Sequence, residues 1–92
     1  MSHTISMQLD KLIEWSIVGD KIHRDFEFVD FNQAMDFMSQ VAKACESLNH
    51  HPNWCNNYQR VRIDLTTHSQ GAITQLDIDL ANKIDQIYTK FI

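Results

Sequence analysis

The sequence predicts an α+β fold, a four-stranded antiparallel sheet with three helices packed on one face in the order α-β-β-α-β-β-α. Three observations carry this. Apolar residues recur at helical spacing in three separate stretches, at the two ends of the chain and in its middle. Between them lie two stretches that alternate with a period of two, as a strand with one buried face must. Each stretch adjoins residues that favour a tight turn, so the strands come as hairpins.

The elements follow in order. From Ile5 to Trp15, Ile5, Leu9, Leu12 and Ile13 fall on one helical face. Gly19-Asp20 then supplies a hairpin turn. Beyond it Ile22, Arg24, Phe26 and Phe28 alternate with polar neighbours, and Arg24, the exception on the apolar side, is expected at the sheet margin. Asp30 is a candidate N-cap with Gln33 three residues later, and Ala34, Met38, Val41, Cys45 and Leu48 continue a long helix over residues 31–49. Phe31, Met35 and Phe37 widen its apolar surface enough to suggest a second contact with another subunit.

Pro52 disfavours helical geometry at His51 and so marks where that helix has ended. A short strand is expected over residues 54–58. A clearer one follows, in which Val61, Ile63, Leu65 and Thr67 alternate with Arg60, Arg62, Asp64 and Thr66. The turn between them falls at Asn56-Asn57 or Tyr58-Gln59. The loop 69–72 leads to a last helix, where Thr74 and Asp77 match a capping box, Ile73 can staple to Ile78, and Leu76, Leu80, Ile84, Ile87 and Phe91 form the apolar stripe.

All 92 residues fit one domain, residues 1–92, with 43% hydrophobic content for a modest two-layer core. The net charge is −4 and no basic block occurs, which argues against direct nucleic-acid binding. No signal-like or membrane-spanning segment is evident, and a cytoplasmic location is expected. Cys45 and Cys55, ten residues apart, match neither a Cys-x-x-Cys motif nor a disulfide framework, so both are expected as reduced thiols.

Three of the five histidines lie in two short segments, Glu46-Ser-Leu-Asn-His50-His51-Pro52-Asn53-Trp54 and Thr67-His68. Imidazole titrates nearest neutrality, so His50, His51 and His68 are candidate acid–base groups. Glu46, one helical turn before His50, can reach that imidazole and favour its charged form, with the helix C-terminus acting in the same direction. A solvated ion pair at a helix end fits the same spacing. His68, after the last strand, stands where a loop can display it, although a polar strand terminus accounts for it as well. The capping box accounts for Asp77 completely unless its carboxylate comes close to His68. His3 and His23 are assigned no role.

These residues resemble the pterin-4a-carbinolamine dehydratases. The resemblance rests on Glu46 with His50-His51-Pro52 and Trp54, on Tyr58, Val61, Leu65, Thr67-His68, Gly71, Thr74, Asp77, Leu80-Ala81 and Ile84, and upstream on Trp15 and Arg24 to Phe31 with Ala34 and Phe37. It covers nearly the whole chain. One departure is Ala72 after Gly71, where the family often has consecutive glycines, which restricts the backbone there. Another is the short sequence before the first helix.

The resemblance implies dehydration of 4a-hydroxytetrahydropterin to quinonoid dihydropterin, a recycling step after aromatic amino-acid hydroxylation, with a hydroxylase as functional partner and no cofactor or metal. It implies a pterin surrounded by His50, His51 and His68, with Glu46 and Asp77 orienting or charging the first and last of these. Pro52, Thr67, Ser69 and Gln70 would line the pocket, Ser69 and Gln70 through backbone groups. It also implies a homodimer or homotetramer, in keeping with the sheet edges two hairpins leave open. The alternative is a non-catalytic dimerisation cofactor that docks on a transcription factor through its helices. A three-histidine zinc site is a third reading, disfavoured because adjacent histidines rarely aim at one ion.

Overall fold

The computed structural model describes residues 2–92. Its elements run α1 (His3–Asp10), β1 (Ser16–Val18), β2 (Lys21–Glu27), α2 (Phe31–Leu48), β3 (Asn53–Asn57), β4 (Arg60–Leu65) and α3 (Gln75–Tyr88), closed by a 3-10 turn, Thr89–Phe91. The four strands form the expected antiparallel sheet, in the order β1-β2-β4-β3, so that the two hairpins join through β2 and β4. Among the described residues, no helix is long and apolar enough to cross a membrane.

One face of the sheet is apolar. Ile22, Phe26 and Phe28 project from β2 and its continuation, and Val61, Ile63 and Leu65 from β4, into a core shared with Phe37 and Val41 of α2 and Ile78, Leu80 and Ile84 of α3. Phe26, Phe28 and Phe37 meet Tyr88 edge-on, with ring centroids 4.9–5.8 Å apart, the geometry that aromatic quadrupoles favour. The opposite face carries His23, Asp25 and Glu27 beside Asp64, Arg62 and Arg60 in register, each from one strand facing its partner on the next.

Several boundaries differ from the sequence reading. α1 ends at Asp10, and the backbone N–H of Lys11 donates to Gln8 O, so Leu12 and Trp15 reach the core from the connecting turns while Ile13 is exposed. In α3 the buried apolar residue of the first turn is Ile78, not Leu76, which is 41% exposed. Phe37 lies wholly inside the core rather than on an outer face.

Arg24 is not at the sheet margin. Its Nη1 donates to Asp85 Oδ1 of α3 at 2.7 Å, and its guanidinium lies 4.6 Å from the Phe26 ring centroid. Trp15 Nε1 donates to the same carboxylate at 3.0 Å. A cation therefore sits on the apolar side because a carboxylate and aromatic faces receive it there.

Both hairpin turns contain two residues. Gly19 takes φ +63° in the first. In the second, which falls at Tyr58-Gln59, Tyr58 takes φ +56°, a conformation unfavourable for a bulky residue. Asn56 compensates from outside the turn, donating from Nδ2 to the carbonyls of Tyr58 and Arg60, both at 2.9 Å. The Tyr58 ring stacks on Phe31, with 14° between their planes.

Candidate active site

The two histidine segments are brought together by the way α2 stops. Its C-cap, Asn49, adopts the left-handed conformation, and the His50 N–H closes back on Cys45 O at 3.0 Å. The chain then leaves the helix axis, so the spacing of one helical turn between Glu46 and His50 no longer places them side by side. His50 turns into the protein and His51 turns out.

The partners follow from this reversal. His50 Nε2 meets Asp77 Oδ1 at 2.6 Å, with the His50 side chain 10% and the Asp77 side chain 0% exposed. His51 Nε2 pairs with Glu46 Oε2 on the surface. The sequence reading assigned Glu46 to His50 and Asp77 to His68, and both assignments are corrected. The first presumed continuing helical geometry, and the second presumed that loop proximity would select the histidine nearer in sequence.

Asp77 is fully committed. Its Oδ2 accepts from Thr67 Oγ1 and from the Thr74 backbone N–H, each at 2.9 Å. The second of these is the carboxylate arm of the expected capping box, while the Thr74 hydroxyl turns to Thr67 Oγ1 at 2.7 Å. Since Thr67 gives its only hydroxyl proton to Asp77, Thr74 must be the donor in that last bond. Against a carboxylate so placed, His50 carries a proton on Nε2, and Nδ1 is left for exchange with another group. Burial of the carboxylate in a saturated network fixes the imidazole plane as well as its tautomer.

His68 opens the turn after Thr67. A bridge between Thr67 and Ala72 closes that turn, with Thr67 N–H donating to Ala72 O at 3.0 Å and Gln70 N–H to Thr67 O at 3.0 Å. Gly71 takes φ +58° and Ala72 does not take a positive φ, so the alanine occupies a position that any residue can adopt. Ser69 and Gln70 are exposed in the turn and Pro52 is half-buried.

A cleft of about 110 Å³ collects His51 and His68 with Asn53, Asp64 and Thr66, and its rim is the Asp20-Lys21 end of the first hairpin. His50 does not line it. Larger concavities lie on the polar sheet face, about 500 Å³ beside Arg60 and Arg62, and along α2 and α3, about 650 Å³, and neither contains a candidate histidine. Chemistry therefore selects the smaller cleft. Among the described residues, no group of three or more His, Cys, Asp or Glu side chains is disposed to hold a metal ion.

The model of the pterin 4 alpha carbinolamine dehydratase family matches residues 2–87. The chain belongs to this family. A Sulfurisphaera tokodaii protein named for it is 44% identical over 85 residues, which span 92% of this chain and 91% of that one. A Prochlorococcus marinus (strain MIT 9215) relative of the same name is 49% identical over 78 residues, 85% and 81% of the two chains. Among solved structures, a transcriptional coactivator/pterin dehydratase from Brucella melitensis superposes with a TM-score of 0.88 at 40% identity, covering 95% of this chain and 96% of that one. A pterin dehydratase-like protein identified as a RuBisCO assembly factor in the alpha-carboxysome shares the fold, with a TM-score of 0.66 at 19% identity over 79% and 84% of the chains.

The sequence reading passed over part of this candidate site. Asp64, Asn53 and Thr66 line the cleft, and His23, which had no role, holds Asp64. The alternation of β2 and β4 put His23 and Asp64 on polar faces. Only the register between the strands makes them neighbours.

Proposed function

We propose that this chain dehydrates a 4a-hydroxytetrahydropterin to the quinonoid dihydropterin, as a step in tetrahydropterin recycling after aromatic amino-acid hydroxylation. The observation that supports this best is the His50–Asp77 pair beside a cleft shared by His51 and His68. The bond between carbon 4a and its hydroxyl oxygen breaks as that oxygen takes a proton and leaves as water. The adjoining ring nitrogen gives up its proton, and its electron pair forms the new double bond to carbon 4a. The reaction needs one acid and one base and no change of oxidation state.

His50, His51 and His68 supply these groups. Asp77 keeps His50 in one tautomer, Glu46 holds His51 toward the surface end of the cleft, and the backbone of Pro52 and of the turn Thr67 to Gln70 shapes its rim. The protein acts in the cytoplasm as a homodimer or homotetramer.

The test is the rate of quinonoid formation from a 4a-hydroxytetrahydropterin, generated in situ and followed by absorbance, with and without chelator. Acceleration over buffer that survives chelator is expected. A rate equal to that of buffer would overturn the reading. The coactivator part of the Brucella protein's name favours a second reading, a helix-docking module, which binding to a transcription factor with no effect of His50→Ala would support.

A further inference from the structure

We infer that Asp64 is the residue that recognises the amino-pyrimidine edge of the pterin and rejects rings that carry oxygen there. The inference rests on the dehydratase reading above. The carboxylates near the histidines differ in how free they are to meet a ligand. Both oxygens of Asp77 are occupied and its side chain is wholly buried. Glu46 is tied to His51 and 77% exposed, so water competes for whatever it binds. Asp20 sits at the open rim in an exposed turn.

Asp64 differs from all three. It lines the cleft beside His51 and His68, and its side chain is only 18% exposed. His23 Nδ1 bonds its Oδ1 at 2.6 Å, while no bond within the protein engages Oδ2 among the described residues. His23 is itself braced at Nε2 by Asp25 Oδ2 at 3.0 Å, and His23 and Asp64 face each other directly across β2 and β4. The sheet thus presents a carboxylate in one orientation with an acceptor to spare.

A pterin offers the matching group. Its 2-amino group and N3–H are two parallel donors, the arrangement that a carboxylate accepts in a fork, and they lie across the pyrimidine ring from carbon 4a. A ring held by Asp64 at that edge keeps its reacting carbon toward the histidines of the same cleft. A 2-oxo ring would instead place a carbonyl oxygen against the carboxylate, which leaves both acceptors without a proton between them. Asp64 would then be a specificity-determining residue, and His23 a positioning residue acting through it.

Titration calorimetry with a 7,8-dihydropterin and its 2-oxo counterpart, a 7,8-dihydrolumazine, tests this on the full chain. The wild type should prefer the pterin. Asp64→Asn keeps the shape but can donate to a carbonyl, so it should lose about tenfold or more in pterin affinity and gain affinity for the lumazine. Asp64→Ser should lose the preference without gaining the lumazine, and it carries the test if the amide variant does not fold. His23→Leu should reduce the preference by a smaller factor. If the wild type binds the pterin and both Asp64 variants keep its preference within twofold, this inference fails and the dehydratase reading stands. If the wild type binds neither ring, both fail together.

Discussion

His50 and Asp77, twenty-seven residues apart, meet at 2.6 Å, and the carboxylate that fixes the imidazole also anchors the start of α3 through the Thr74 N–H. Fold stability and the proposed chemistry therefore share one side chain. Asp77→Asn puts an amide where three donors converge, so one of them loses its acceptor. A destabilisation of about 1–3 kcal/mol is expected by thermal or urea unfolding, more than the loss of a helix cap by a same-shape residue would give. The rate per folded molecule should also fall, by about a hundredfold or more, because His50 loses its defined tautomer. Normal turnover in a variant that melts early would return Asp77 to a purely structural role.

His51 and His68 line the cleft from exposed positions, so their removal should separate rate from stability. His51→Ala and His68→Ala are each expected to lower the rate by about a hundredfold while the melting temperature barely moves. Glu46→Gln breaks an exposed pair and should change stability by less than about 1 kcal/mol. An effect of the histidine variants confined to the Michaelis constant would mean that they bind substrate without transferring protons.

The pKa of His23 is raised above its ordinary value, chiefly by its hydrogen bond to Asp25, against which partial burial works, and further by Asp64. A group whose pKa is higher in the folded chain stabilises the fold fully below its unfolded value. That contribution is lost as pH rises through the folded value. The stability difference between wild type and His23→Gln should therefore be largest in mildly acid solution and shrink toward alkaline pH. Proton NMR of the His23 ring should give a midpoint above that of an unstructured histidine, and a midpoint at or below it would contradict the proposed bracing by two carboxylates.

Burial pushes the Cys45 thiol up to about 11, whereas Cys55 is exposed on the edge strand β3. A disulfide-exchange reagent at neutral pH should titrate one thiol in the native protein and two after denaturation. Two fast-reacting thiols in the native state would mean that the helix carrying Cys45 opens readily.

Among the described residues the sheet ends in β1 and β3, each with one side unpaired in the order β1-β2-β4-β3. Exposed apolar residues such as Ile17 and Val18 lie on β1. Unprotected edges of this kind favour pairing with a second copy. Light scattering at micromolar concentration should report a mass at least twice that of one chain, and a monomer would refute the homo-oligomer.

The sequence determined the element types and their order, because the repeats of 3.6 and 2 record which face of the three helices, β2 and β4 must leave water, and the turn residues imply β1 and β3 as their hairpin partners. It also located the hairpin turn at Gly19-Asp20 and the helix end before His51, since Gly and Pro restrict the backbone locally whatever surrounds them. The choice of partners was not local. Glu46 looked like the neighbour of His50 only while the helix continued, and the left-handed Asn49 redirected both histidines. Tyr58 accepted a left-handed turn that its own preference opposes because Asn56 and Phe31 hold it from outside. His23 and Asp64 became a pair through strand register, which depends on the packing of whole strands. The sequence alone thus determined where the histidines lie along the chain. Tertiary packing decided which carboxylate each one meets, because a hydrogen bond is made in space and two residues twenty-seven positions apart carry no mark of each other until the chain between them has folded.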